Sequence, residues 1–153
     1  MSGRVVAIYV RPNTGEAVKN VSRCSATAGG GLDGDYLSRS ETPLKKNERQ
    51  RGITLIEQET LDAIREDGFK LKPGASRRNV VTQGVRLNDL VGVEFHVGGA
   101  RLRGTALCHP CSSLEQTNAM PGLMKALLER GGLCAEVIAG GEIKEGDEIA
   151  VVA

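Results

Sequence analysis

Tryptophan is absent, and two Tyr and two Phe hold the aromatic content of the 153 residues to 3%. Single-stranded nucleic acid would find few rings on which to stack its bases. Twenty Lys and Arg against nineteen Asp and Glu leave a net charge of +1, so no surplus of one sign is available to coat a polyanion. Nucleic acid is therefore not an expected partner. No window approaches about 18 uninterrupted apolar residues, which excludes a helical membrane span. The four cysteines (Cys24, Cys108, Cys111 and Cys134) are too few and too scattered for a disulfide scaffold, and nothing at the N-terminus reads as a signal peptide. A reducing cytoplasm is the expected compartment.

What is present suits one domain spanning residues 1–153, with 40% apolar residues for its core. Glycine, at twenty residues, is roughly twice its usual share of about 7%, so much of the backbone must turn tightly or approach something closely. Charge is unevenly spread: residues 39–103 carry thirteen basic and nine acidic groups, residues 104–153 three and seven. Arg39, Lys45, Lys46, Arg49 and Arg51 crowd into one polar stretch. It reads either as a solvated loop or as a lid over an anionic ligand, because residues 38–51 are long for a structureless connection.

Short apolar or alternating runs at 4–10, 22–28, 53–56, 79–82, 94–97, 101–107, 133–139 and 148–152 read as strands. Gly98-Gly99 marks a hairpin. A helix is expected over 57–67, with Leu61 and Ile64 on one face and Gly68 as its cap, and a second over 121–130, with Leu123, Met124 and Leu127 on one side. Frequent glycine turns between about seven or more strands, with two or three short helices, suggest a mainly β protein, a small closed or partly closed barrel and not a βαβ sandwich.

The richest chemistry lies in Cys108-His109-Pro110-Cys111, at the end of a predicted strand. Four readings compete: two ordinary buried thiols, half of a structural zinc site, a dithiol redox pair, or one functional thiolate, with Cys111 favoured, that binds a soft metal or carries sulfur. His109 beside the thiols can raise their thiolate fraction. His96, inside an apolar strand, reads as a core or edge histidine. Arg77 and Arg78 can grip phosphate or carboxylate in a bidentate fork, and Asn79 can read a heterocycle edge with one donor and one acceptor. Asp33 and Asp35, in the glycine-rich loop, are turn formers or an acid-base or Mg²⁺ pair. Together these groups outline a pocket for a phosphorylated heterocyclic cofactor.

Taken in order, several segments resemble a MOSC domain, the fold named after the C-terminal part of molybdenum-cofactor sulfurases. They are Gly31-Leu32-Asp33-Gly34-Asp35, Arg51-Gly52-Ile53-Thr54-Leu55-Ile56, Arg77-Arg78-Asn79-Val80-Val81-Thr82, Cys108-His109-Pro110-Cys111, Arg130-Gly131-Gly132-Leu133 and Gly146-Asp147. The chain is similar to the short, stand-alone bacterial type. This resemblance implies a barrel-like β fold and a site built around one cysteine, matched by Cys111, that ligates molybdenum of a pterin cofactor (molybdopterin) or carries sulfur as a persulfide. It places Arg77, Arg78 and Asn79 around that cofactor and assigns no role to Cys108; Asp35, Thr54, Cys108 and His109 are further candidate cofactor-binding residues. Relatives reduce N-hydroxylated bases and amidoximes, which would require an electron-donor protein. A sulfur carrier would instead need a donor such as a cysteine desulfurase, and a cofactor escort would turn nothing over. Pyridoxal phosphate, attached to the family through fused sulfurases, is not expected: Lys45, Lys46, Lys70 and Lys72 all lie in polar loops, whereas a Schiff base needs a positioned lysine.

Overall fold

Alternation in the sequence becomes a closed sheet in the computed structural model, which describes residues 2–12, 18–35, 45–108 and 118–152. Strand β1 (Ser2–Val10) is long enough to serve two neighbours. Its start pairs antiparallel with β10 (Glu148–Val151) and its later residues with β5 (Val80–Gln83). Between those two run β6 (Glu94–Val97), β7 (Ala100–Leu107), β8 (Leu133–Ala139) and β4 (Ile53–Glu57), so seven strands close into a barrel. Closure leaves the barrel itself without an edge. Strand β2 (Lys19–Val21) hangs on the outer end of β1, and β3 (Arg23–Ala26) pairs with β9 (Gly141–Lys144) as a separate ribbon. The Gly98-Gly99 hairpin is present, with Val97 paired to Ala100.

Inward-facing residues fill the barrel. Phe95, Leu102, Leu55, Ile8, Val80 and Leu133 are fully buried, each stabilising the fold by roughly 1.5–3 kcal/mol. A one-residue step turns Ile56 and Val81 to the outer face, where Ile64, Leu123 and Leu127 cover them. Ile64 comes from α2 (Gln58–Glu66), and Leu123 from α3 (Leu123–Ala126). Helix α2 joins β4 to β5, which pair in parallel, so the barrel contains one βαβ crossover although the architecture is not a βαβ sandwich. No helix among the described residues is long and apolar enough to cross a membrane, which says nothing of strands.

Some sequence expectations need correction. Helix α3 covers only four of the ten residues expected over 121–130: Gly122 sits at φ +89 just before it, and Glu129 at φ +63 turns the chain left-handed beyond it. Met124 is 40% exposed and does not share the buried side of Leu123 and Leu127. Strand β9 and the short helix α1 (Lys46–Arg49) were not expected, since β9 buries only Ile143 and α1 buries nothing. His96 points to solvent, because period-two alternation on β6 spends the two inward positions on Phe95 and Val97.

Candidate functional site

Strand ends β1, β4, β7 and β8 and the turn before β5 surround a cavity of about 650 Å³, a size that suits a small-molecule ligand. Asp35, Thr54, Arg77, Arg78, Asn79 and Cys108 all line it, so six of the eight site residues expected from sequence converge on one space. The other two, His109 and Cys111, lie outside the described residues. Tyr9, Arg11, Gln50, Arg51, Thr105 and Cys134 also line the cavity and were not singled out as site residues. From the basic stretch, Asn47, Gln50 and Arg51 line the cavity, Arg51 alone of its described basic residues, and Arg39 lies outside the described residues.

Four arginines (Arg11, Arg51, Arg77 and Arg78) and one acidic residue, Asp35, are among the described lining residues. The cavity therefore favours an anion. Arg77 is held at φ +62, a left-handed conformation that costs a side-chain-bearing residue about 1–3 kcal/mol and clusters at functional sites. Its N–H closes a turn onto the Gly74 carbonyl at 3.1 Å, and this kink brings both Arg77 and Arg78 to the cavity wall. Arg78 is anchored across the barrel, Nε donating to the Gly131 carbonyl at 2.7 Å. Among the described residues that carbonyl is its sole hydrogen-bond acceptor, which leaves the terminal fork for a ligand.

Asn79 does something other than the heterocycle reading expected of it. Its Oδ1 accepts from the Thr54 N–H at 3.0 Å and the Thr54 hydroxyl at 3.2 Å, while Nδ2 donates to the Tyr9 carbonyl at 3.2 Å. The amide thus ties β4 and β1 together at the mouth of β5. Asp35, 2% exposed, accepts the Arg11 N–H at 2.8 Å and so braces the end of β1. Asp33 is exposed and behaves as a turn former, its N–H donating to the Ser25 carbonyl at 2.9 Å and its carbonyl accepting the Cys24 S–H at 3.0 Å.

Cys108 and Cys134 form the sulfur side of the cavity, their Sγ atoms 2.9 Å apart and both side chains buried. Strand register explains the meeting: Ala106 pairs with Cys134 across β7 and β8, and Cys108 projects to the same face two residues on. Contact with the Cys108 S–H pulls Cys134 below an ordinary thiol, to about 7, with Arg78 and Arg51 helping against the opposing effect of burial. Cys108 moves up, first through that same contact and then through desolvation. The pair gives up its first proton easily and its second with difficulty, as two acids sharing one hydrogen bond do. Cys24, on β3, is not among the lining residues.

The MOSC domain family model matches residues 34–150. The fold is shared with the crystal structure of the YuaD protein from Bacillus subtilis, at TM-score 0.81 and 19% identity over 99% of this chain and 96% of that one. It is shared too with YiiM from Geobacillus stearothermophilus, at TM-score 0.78 and 21% identity over 99% and 75%. YiiM from Escherichia coli gives 0.72 and 20% over 100% and 70%. No curated protein matches the chain. Since the family model covers well over half of the sequence, the chain belongs to the MOSC domain family.

Proposed function

We propose that this MOSC domain holds the anionic molybdenum–pterin cofactor in the arginine-lined cavity, with Cys111 as the thiolate ligand to the metal, and reduces N-hydroxylated compounds. One observation carries the reading: four arginines and a thiol pair line a single cavity of about 650 Å³. The donor set fits the group, because guanidinium forks pair with phosphate and thiolates suit a soft metal. Arg77 and Arg78 would grip the phosphate. Covalent reach alone keeps Cys111 within about 11 Å of Cys108, which lines the cavity.

When bound, the cofactor would supply two-electron chemistry at the N–O bond. Reduction of N–OH to N–H takes up two electrons and two protons and releases water, so an electron-donor protein is a required partner. The protein's own contribution is to fix the ligand by its anionic end and to hold the buried Cys108–Cys134 pair beside it. Cofactor-loaded protein given a chemical reductant and an amidoxime should turn over, and Cys111→Ser should lower the rate by at least about 100-fold, the upper end of what disturbing a metal's surroundings costs. Equal rates for the two proteins would sink the ligand assignment.

The thiol-rich wall favours one second reading, a sulfur carrier loaded at Cys111 by a persulfide donor such as a cysteine desulfurase. Its mark is cyanide-releasable sulfur that appears with the donor and is lost in Cys111→Ser. A wild-type protein that takes up none under donor conditions removes it.

A further inference from the structure

We propose that Cys108 and Cys134 are a reactive dithiol that small disulfides entering the cavity convert to an intramolecular disulfide, making the sulfur wall an oxidation-sensitive switch. The geometry is the first support. The two Sγ atoms are 2.9 Å apart, so closing to a bonded distance of about 2.05 Å needs less than about 1 Å of movement. Cys134 lies on β8 and Cys108 directly follows β7, its N–H bonded to the Gly132 carbonyl at 2.8 Å, so the backbone holds the partners in place whether or not the bond exists.

Access is the second support. Both thiols are less than 10% exposed, at 6% and 7%, yet both line the cavity, so a reagent that fits there meets them. Arg78 and Arg51 on the same lining favour a thiolate at Cys134, whose first proton is the easily lost one of the pair. Neither Cys111 nor a bound cofactor takes part, so the proposal stands or falls separately from the molybdenum reading.

The step balances. Cys134 thiolate attacks one sulfur of RS–SR, forming a mixed disulfide as that S–S bond breaks and RS⁻ leaves. Cys108 gives its proton to water and attacks Cys134 Sγ, expelling the second RS⁻. Two protein thiols are oxidised by two electrons, and RS–SR is reduced to two RSH. The product has no thiolate left beside Arg78, so the cavity loses an anionic sulfur and becomes more positive.

Bis(2-hydroxyethyl) disulfide is a probe small enough to enter. Full-length protein treated with it, alkylated and digested with trypsin should yield peptides 104–125 and 131–144 joined, two hydrogens lighter than their sum, with fragmentation assigning the link to Cys108 and Cys134. Excess thiol should reverse it, and Cys108→Ala should stop at a mixed disulfide on Cys134. A wild-type protein that also stops at the mixed disulfide, that links Cys134 to Cys111 or Cys24 instead, or that fails to react overturns the proposal. Should Cys108→Ala not fold, as judged by circular dichroism, the wild-type mapping decides by itself.

Discussion

Gly132→Ala is expected to destabilise the protein by about 3–5 kcal/mol, combining a strained backbone with an overpacked barrel wall. Gly132 sits at φ +114, where a side chain is rarely tolerated, and an added Cβ would press on the Leu55 carbonyl oxygen of β4. That oxygen belongs to backbone and cannot swing aside. Nor is the damage confined to stability, because the Gly132 carbonyl accepts the Cys108 N–H at 2.8 Å and the added Cβ would also lie 3.4 Å from Arg78 Nε. Equilibrium denaturation should show the midpoint falling with the slope unchanged. A midpoint within about 0.5 kcal/mol of wild type, the range of an inert surface change, would mean the strand approach is looser than described.

Asn79→Ala should cost about 2–4 kcal/mol in protein that holds no cofactor, since truncation removes the partner of the Thr54 N–H, of the Thr54 hydroxyl proton and of the Tyr9 carbonyl, leaving the hydroxyl only the Asn79 N–H that it accepts. Asn79→Asp should recover little: it keeps the acceptor for Thr54 but sets a carboxylate oxygen against the Tyr9 carbonyl. Thermal or denaturant unfolding of cofactor-free protein reads the difference. If Asn79 serves mainly to read a heterocycle, both variants would match wild type in that assay and differ only in cofactor retention. The contrast with Arg78 is sharp, because its side chain makes one bond, to the Gly131 carbonyl, and Arg78→Ala should cost only about 1 kcal/mol in the same assay.

The sequence showed the pieces of the site better than their assembly. Arg77, Arg78 and Cys108 were legible because paired guanidiniums can fork an anion and a thiol at a strand end can meet a ligand, and they do share a cavity. Cys134 was not, since its meeting with Cys108 is a product of register across 26 residues of separation and leaves no local mark. Arg51 was visible as one charge in a basic run and as the first residue of a segment carrying the family resemblance, and neither marked it as a lining residue where Arg49 is not. Asn79 was legible as a polar residue worth noticing but not as a strand tie, because its partners Thr54 and Tyr9 are far away in sequence.

Alternation and glycine turns marked most strands, including the Gly98-Gly99 hairpin. Barrel closure, by contrast, depends on β1 reaching both β5 and β10, a long-range pairing that no period reports. The helix over 121–130 was overextended for a different reason: its apolar spacing was real, but left-handed Gly122 and Glu129 confine the regular turns to four residues.

An anionic molybdenum cofactor is proposed to occupy the arginine-lined cavity. Molybdenum by mass spectrometry and pterin by fluorescence, measured on full-length protein purified from a host that makes the cofactor, test it most directly, with Arg77→Ala/Arg78→Ala and Cys111→Ser prepared alongside. Wild type should give both signals together, the double arginine variant a drop of at least about tenfold through loss of two charge-assisted contacts, and Cys111→Ser a loss of metal. Wild-type protein carrying neither molybdenum nor pterin, or an arginine variant that retains both in full, would contradict it.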